Sequence, residues 1–163
     1  MIDLKERYFL VSFQFNKRTP ADFKLTKVKG EEYCLDKSGN KWTQAYLWDK
    51  GWGQEYGFIR FPEPNFKELW SLLLESEISD NQQGAAELLK AKYPEELKLA
   101  LKELFKSSQA LDSNMSNRIN CLQLGINCSP IEGKPHTEVE KDFQDWKYLK
   151  AEFERLRSKP YRF

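Results

Sequence analysis

The chain has 163 residues, of which 14% are aromatic and 31% charged, and its net charge is +1. That length supports one domain with a packed interior, since aromatic rings bury large areas, and near-zero charge disfavours a generic nucleic-acid binder. Three cysteines do not make a disulfide scaffold, and no stretch approaches the roughly 20 apolar residues of a membrane span.

Residues 1–61 read as β-rich. The opening MIDLKERYFLVSFQF has early acids, and Gln14 follows its apolar run, unlike a secretory leader, so the expected location is cytoplasmic. Residues 7–15 alternate, with Phe9, Val11, Phe13 and Phe15 on one face and Tyr8, Leu10, Ser12 and Gln14 on the other, which predicts a strand. Asn16 to Pro20 reads as a turn. Asp22–Thr26 alternates as a second strand and Tyr33–Leu35 as a third. Asp36–Asn40 suits a hairpin loop, because Gly and Asn tolerate positive φ. Trp42–Trp48 is the return strand, and Tyr56–Phe61 the fifth.

Residues 62–106 read as helical. Pro62 and Pro64 stop what precedes them. Asn65 and Glu68 have capping-box spacing ahead of Phe66, Leu69, Trp70, Leu73 and Leu74, and the helix is expected to end near Ile78. Ser79-Asp80-Asn81 offers a break and a second cap before Ala85, Ala86, Leu88 and Leu89. Pro94 suits the first position of a third helix, and Glu95 and Glu96 suit its positive end. Leu97, Ala100, Leu101, Leu104 and Phe105 form its stripe.

Residues 107–136 read as irregular or partly helical, with Leu111, Met115, Ile119 and Leu122 at helical spacing and a close near Gly125. Over residues 137–158, Thr137 and Glu140 give a capping box. Val139, Phe143, Trp146, Leu149, Phe153 and Leu156 follow on one face. The expected fold is a single α+β domain: an N-terminal antiparallel β-meander of about five strands, a helical layer, and a long C-terminal helix.

Chemical motifs are sparse. Cys121, Cys128 and His136 are too loosely spaced for a structural zinc site. No phosphate loop, dinucleotide glycine pattern or nucleophile elbow occurs. Glu31-Glu32 and Glu95-Glu96 are adjacent in sequence, so their side chains diverge rather than form an acid/base couple. No metal, cofactor or catalytic residue is expected.

Two features point to a protein partner. WDKGWGQEYG, residues 48–57, sets aromatic anchors among glycines. Residues 62–106 hold nine acidic against six basic side chains, while 1–61 carry +3 and 107–163 carry +1. The candidate contacts are Trp48, Asp49, Trp52, Glu55, Tyr56, Glu87, Glu95 and Glu96. The stretch DNQQGAAELLKAKYPEELKLAL, residues 80–101, resembles single-domain immunity proteins of bacterial toxin systems, as does the order of an aromatic meander before acidic helices. The resemblance implies stoichiometric binding of a cognate toxin and carries no residue roles over. An acidic middle suits a basic nuclease toxin. One alternative is a small enzyme of another family, with its site between the sheet and residues 107–136. Another is nucleic-acid binding, with bases stacked on Tyr8, Trp42, Tyr46 and Trp48.

Overall fold

In a computed structural model, the described residues are 2–11, 17–49, 54–124 and 133–157, without the side chains of 47–49 and 54. The fold is α+β, and the described residues form a five-stranded antiparallel sheet ahead of five α-helices. The chain forms two compact units, Met1–Leu88 and Leu89–Phe163.

The first unit holds the sheet: β1 (Phe9–Leu10), β2 (Thr26–Lys27), β3 (Tyr33–Leu35), β4 (Lys41–Asp49) and β5 (Gln54–Arg60). Their order is β1-β5-β4-β3-β2. The meander therefore runs from β2 to β5, and β1 pairs on the far side of β5, Phe9 opposite Ile59. The expected second strand at Asp22–Thr26 is displaced. Pro20–Phe23 makes a 3-10 turn instead, held where Asp22 Oδ2 accepts from the Thr19 N–H at 2.8 Å. Lys24 then takes a left-handed φ of 58° that no strand accommodates, so β2 starts only at Thr26. Phe13 and Phe15 lie outside the described residues.

The β3–β4 hairpin forms as the sequence predicts. Asp36 Oδ1 accepts from the backbone of Ser38 and Asn40, both at 2.9 Å, and Oδ2 accepts from Trp42 Nε1 at 3.0 Å. Gly39 supplies the positive φ of 85°. Burial raises the Asp36 pKa, but these hydrogen bonds outweigh it and hold the carboxyl below its ordinary range.

Cross-strand register sorts the side chains, because directly paired residues share a face. Leu10, Phe58, Trp42 and Cys34 share one, and with Leu25 they form a buried cluster capped by Phe23 and Tyr56. Phe9 and Ile59 share the other. There Gly84 of α2 (Ser79–Lys92) lies so near the Phe9 ring that a Cβ would enter it.

Helix α1 (Phe66–Glu75) has the expected Asn65/Glu68 capping box and buries Leu69, Leu72 and Leu73. It stops at Glu75, not near Ile78, and Ser76 turns to extended backbone. Asp80 and Asn81 are not caps. They lie inside the first turn of α2, and their side chains reach the N-terminal segment. Asp80 Oδ2 accepts from Arg7 at 2.9 Å and Arg18 at 2.7 Å. Asn81 Oδ1 accepts from the Tyr8 N–H at 2.8 Å, and its Nδ2 donates to the Glu6 carbonyl at 2.8 Å.

The second unit holds the end of α2, α3 (Pro94–Ser107), α4 (Ser113–Asn120) and α5 (His136–Leu156). Pro94 is at the start of α3, which buries Leu97, Lys98, Leu101 and Phe105. Residues 107–124 contain α4, capped by Asp112 through the Met115 N–H at 2.7 Å. Helix α5 begins two residues early for a Thr137/Glu140 box. Pro135 is the N-cap, with φ already at −60°, and no side chain caps the turn. The buried face of α5 is Asp142, Trp146, Leu149, Phe153 and Leu156, while Phe143 is 53% exposed. The charged Asp142 takes the inward position because Lys98 Nζ meets it at 2.5 Å.

Candidate functional site: a tyrosine-lined cleft on the sheet

The register that places Leu10 opposite Phe58 continues along β5 and places Tyr46 opposite Tyr56. Their rings lie 6.0 Å apart, tilted by 56°. Beside them is a cleft of about 520 Å³, lined by Cys34, Gln44, Tyr46, Tyr56 and Phe58, with Lys27, Glu31 and Glu32 among the outer residues. Cys34 and Phe58 are buried, Tyr56 is half-buried, and Tyr46 is 56% exposed. Gln44 Nε2 donates to the Tyr46 hydroxyl at 2.7 Å. This fixes the ring tip, while strand pairing fixes the ring base. The volume falls within the range of small-ligand pockets, and a mostly apolar floor with a few polar groups is their usual make-up.

The charged and nucleophilic side chains that line the cleft are Cys34, Lys27, Glu31 and Glu32. Burial pushes the Cys34 thiol above its ordinary pKa, against the opposing charge of Lys27. A thiol kept protonated is a poor nucleophile. His136 is exposed at the start of α5 and belongs to the second unit. Among the described residues, no group of three His, Cys, Asp or Glu side chains is placed to hold a metal ion. Cys128 lies outside those residues.

A second hollow of about 300 Å³ is lined by Glu6, Arg7, Asp36, Trp42 and Arg60, among others. Its charges are already satisfied. Arg60 pairs with Glu6 at 2.7 Å, Arg7 with Asp80, and Asp36 with the Trp42 indole. In the larger cleft, Lys27, Glu31 and Glu32 make no ion pair among the described residues. Unpaired charge beside exposed aromatic surface makes the larger cleft the better candidate for a binding site.

The structure brings together only part of the contact set read from the sequence. Trp48 and Asp49 are in β4 and Glu55 and Tyr56 in β5, so most of the expected 48–57 loop is paired strand. A bulge between Tyr46 and Trp48 sets Trp48 opposite Glu55. Trp52 lies outside the described residues. Tyr56 lines the cleft. Glu55 is buried, 1% exposed, with neither carboxylate oxygen hydrogen-bonded among the described residues. Glu87 is half-buried on α2 in the first unit. Glu95 and Glu96 are exposed on α3 in the second unit, and Glu95 pairs with Lys98 at 3.1 Å. Trp42, read as a base-stacking platform, is 4% exposed with its indole N–H occupied. Tyr8 lies beneath the Arg60 guanidinium at 4.8 Å. Cys34, Gln44, Glu31 and Glu32 were not legible as a site. Strand alternation sets Gln44 and Tyr46 on one face, but their partners follow from register alone.

No protein-family model, curated protein or solved structure matches this chain. No helix among the described residues is long and apolar enough to cross a membrane.

Proposed function

We propose that the chain is a non-catalytic protein-binding module, an immunity-type inhibitor that binds and neutralises a cognate toxin. The observation that carries this reading is Tyr46, an exposed aromatic ring fixed on a sheet beside Tyr56 and above a buried floor. Tyrosine in such a setting is among the side chains that dominate protein–protein binding energy. A ring held by strand pairing and the Gln44 amide has little freedom left to lose on association. The protonated Cys34 thiol fits holding rather than turnover. The excess of acid in residues 62–106 favours a basic toxin, because complementary fields speed encounter.

Growth rescue tests the proposal. Candidate toxins of the source organism are expressed with and without this chain. One of them should be neutralised, form a stoichiometric complex with the chain, and escape a folded Tyr46→Asp variant. Neutralisation that ignores Tyr46→Asp moves the interface off the cleft. If no toxin is neutralised and the purified chain turns over a small molecule, the protein is an enzyme instead.

A further inference from the structure

We infer that the cleft is an anchor site for an arginine side chain, presented by a basic segment of the protein partner. The inference rests on the binding-module reading above and adds the chemistry of the partner's contact.

Three observations converge on a planar cation. The first is charge. Glu31 and Glu32 are exposed at the cleft and unpaired among the described residues, against the single ammonium of Lys27. Lys27 is opposite Cys34 in the β2–β3 register, so its stem starts over the buried floor, whereas the two carboxylates sit in the β2–β3 connection. The second is ring surface. An aromatic face carries negative quadrupole charge and attracts cations within about 6 Å. This protein stacks cations on its own rings: Arg60 over Tyr8 at 4.8 Å, Lys41 over Tyr33 at 4.5 Å, and Arg7 and Arg18 over Phe23 at 5.5 and 5.4 Å. Tyr46 presents the same kind of ring to solvent. The third is geometry. A guanidinium lies flat on a ring while its edge forks to a carboxylate, which a compact ammonium cannot do. A ring beside two free carboxylates therefore favours arginine over lysine.

The probe is acetyl-Gly-Arg-Gly-amide, titrated into the isotopically labelled full chain and followed by amide chemical shifts. The controls carry citrulline, lysine or glutamate in place of arginine. The arginine peptide should cause saturable shifts confined to residues 31–34, 43–46 and 56–58. Citrulline should bind at least about fivefold more weakly, and lysine more weakly than arginine. Tyr46→Ala and the double variant Glu31→Gln/Glu32→Gln should each lower affinity several-fold. Unchanged shifts elsewhere would show that these variants are folded. Citrulline or glutamate binding as tightly as arginine overturns the inference, as do shifts scattered outside these residues or no saturable shift at all. The parent reading fails separately. A neutralised toxin whose binding ignores Glu31→Gln/Glu32→Gln removes the arginine anchor and keeps the inhibitor. Arginine binding without any neutralised toxin does the reverse.

Discussion

Glu55 is buried near the start of β5, and neither carboxylate oxygen has a hydrogen-bond partner among the described residues. An unsatisfied buried polar group typically costs about 1–3 kcal/mol. Glu55→Leu is therefore expected to raise unfolding stability by roughly that amount, read from the denaturant midpoint at constant slope. A loss of stability would show that the carboxyl has a partner that the leucine cannot replace. Lys98 and Asp142 are the opposite case, an ion pair buried on both sides. Lys98→Met alone should cost about 3–5 kcal/mol, because it removes the ammonium buried against the Asp142 carboxylate, and Lys98→Met/Asp142→Leu should recover most of the loss. Additive single effects in that cycle would mean the pair is not coupled. The same pair marks where sequence reading stopped. Phe143 fits the apolar stripe of α5 better than Asp142. Asp142 turns inward for a lysine 44 residues earlier, and periodicity carries no information about a partner so distant.

At the scale of elements, local chemistry was legible at three places where the deciding groups lie within four residues of one another. The Asn65/Glu68 box, Pro94 at the start of α3 and the Asp36–Asn40 hairpin all form as their spacing predicts. The Thr137/Glu140 box fails because the helix is N-capped at Pro135, two residues earlier. The second strand fails because Thr19 and Asp22 close a turn ahead of it. The cleft was half legible. Tyr56 was singled out, but Cys34, Gln44 and Glu31 join it only through pairing across three strands. Gly84 shows the same limit. Nothing in the sequence around it names its neighbour, which in the structure is the Phe9 ring. Gly84→Ala should destabilise by about 1–3 kcal/mol, although alanine is the better helix former, because the added methyl overpacks the helix–sheet contact. A stabilising Gly84→Ala would mean that the ring moves aside freely.

For the whole molecule, Asp36 and Lys98 contribute stability that is lost at opposite ends of the pH range. Asp36 is held below its ordinary pKa of 3.8, so its contribution is complete above that value and is lost as the pH falls through the lower folded value. Lys98 is shifted the other way. Burial lowers its pKa, but hydrogen bonds and charges from Asp142 and Glu95 raise it by more, so the folded value lies above 10.5. Its contribution is complete below 10.5 and is lost as the pH rises through the folded value. Urea midpoints measured against pH should show an acid fall that Asp36→Asn flattens and an alkaline fall that Lys98→Met flattens. An alkaline limb identical in Lys98→Met would place that loss elsewhere.

The clasp of Arg7 and Arg18 on Asp80, with Asn81 holding the backbone at Glu6 and Tyr8, spans sequence separations of 62 to 75 residues. On the ribosome this sets an order of events. Residues 1–61 emerge with every strand of the sheet but without the acceptors for two guanidiniums and a strand-edge amide. The sheet's first strand gains its anchor only when the start of α2 leaves the exit tunnel. A nascent chain stalled before Asp80 should therefore leave the N-terminal segment open to protease, and one stalled well past Lys92 should protect it.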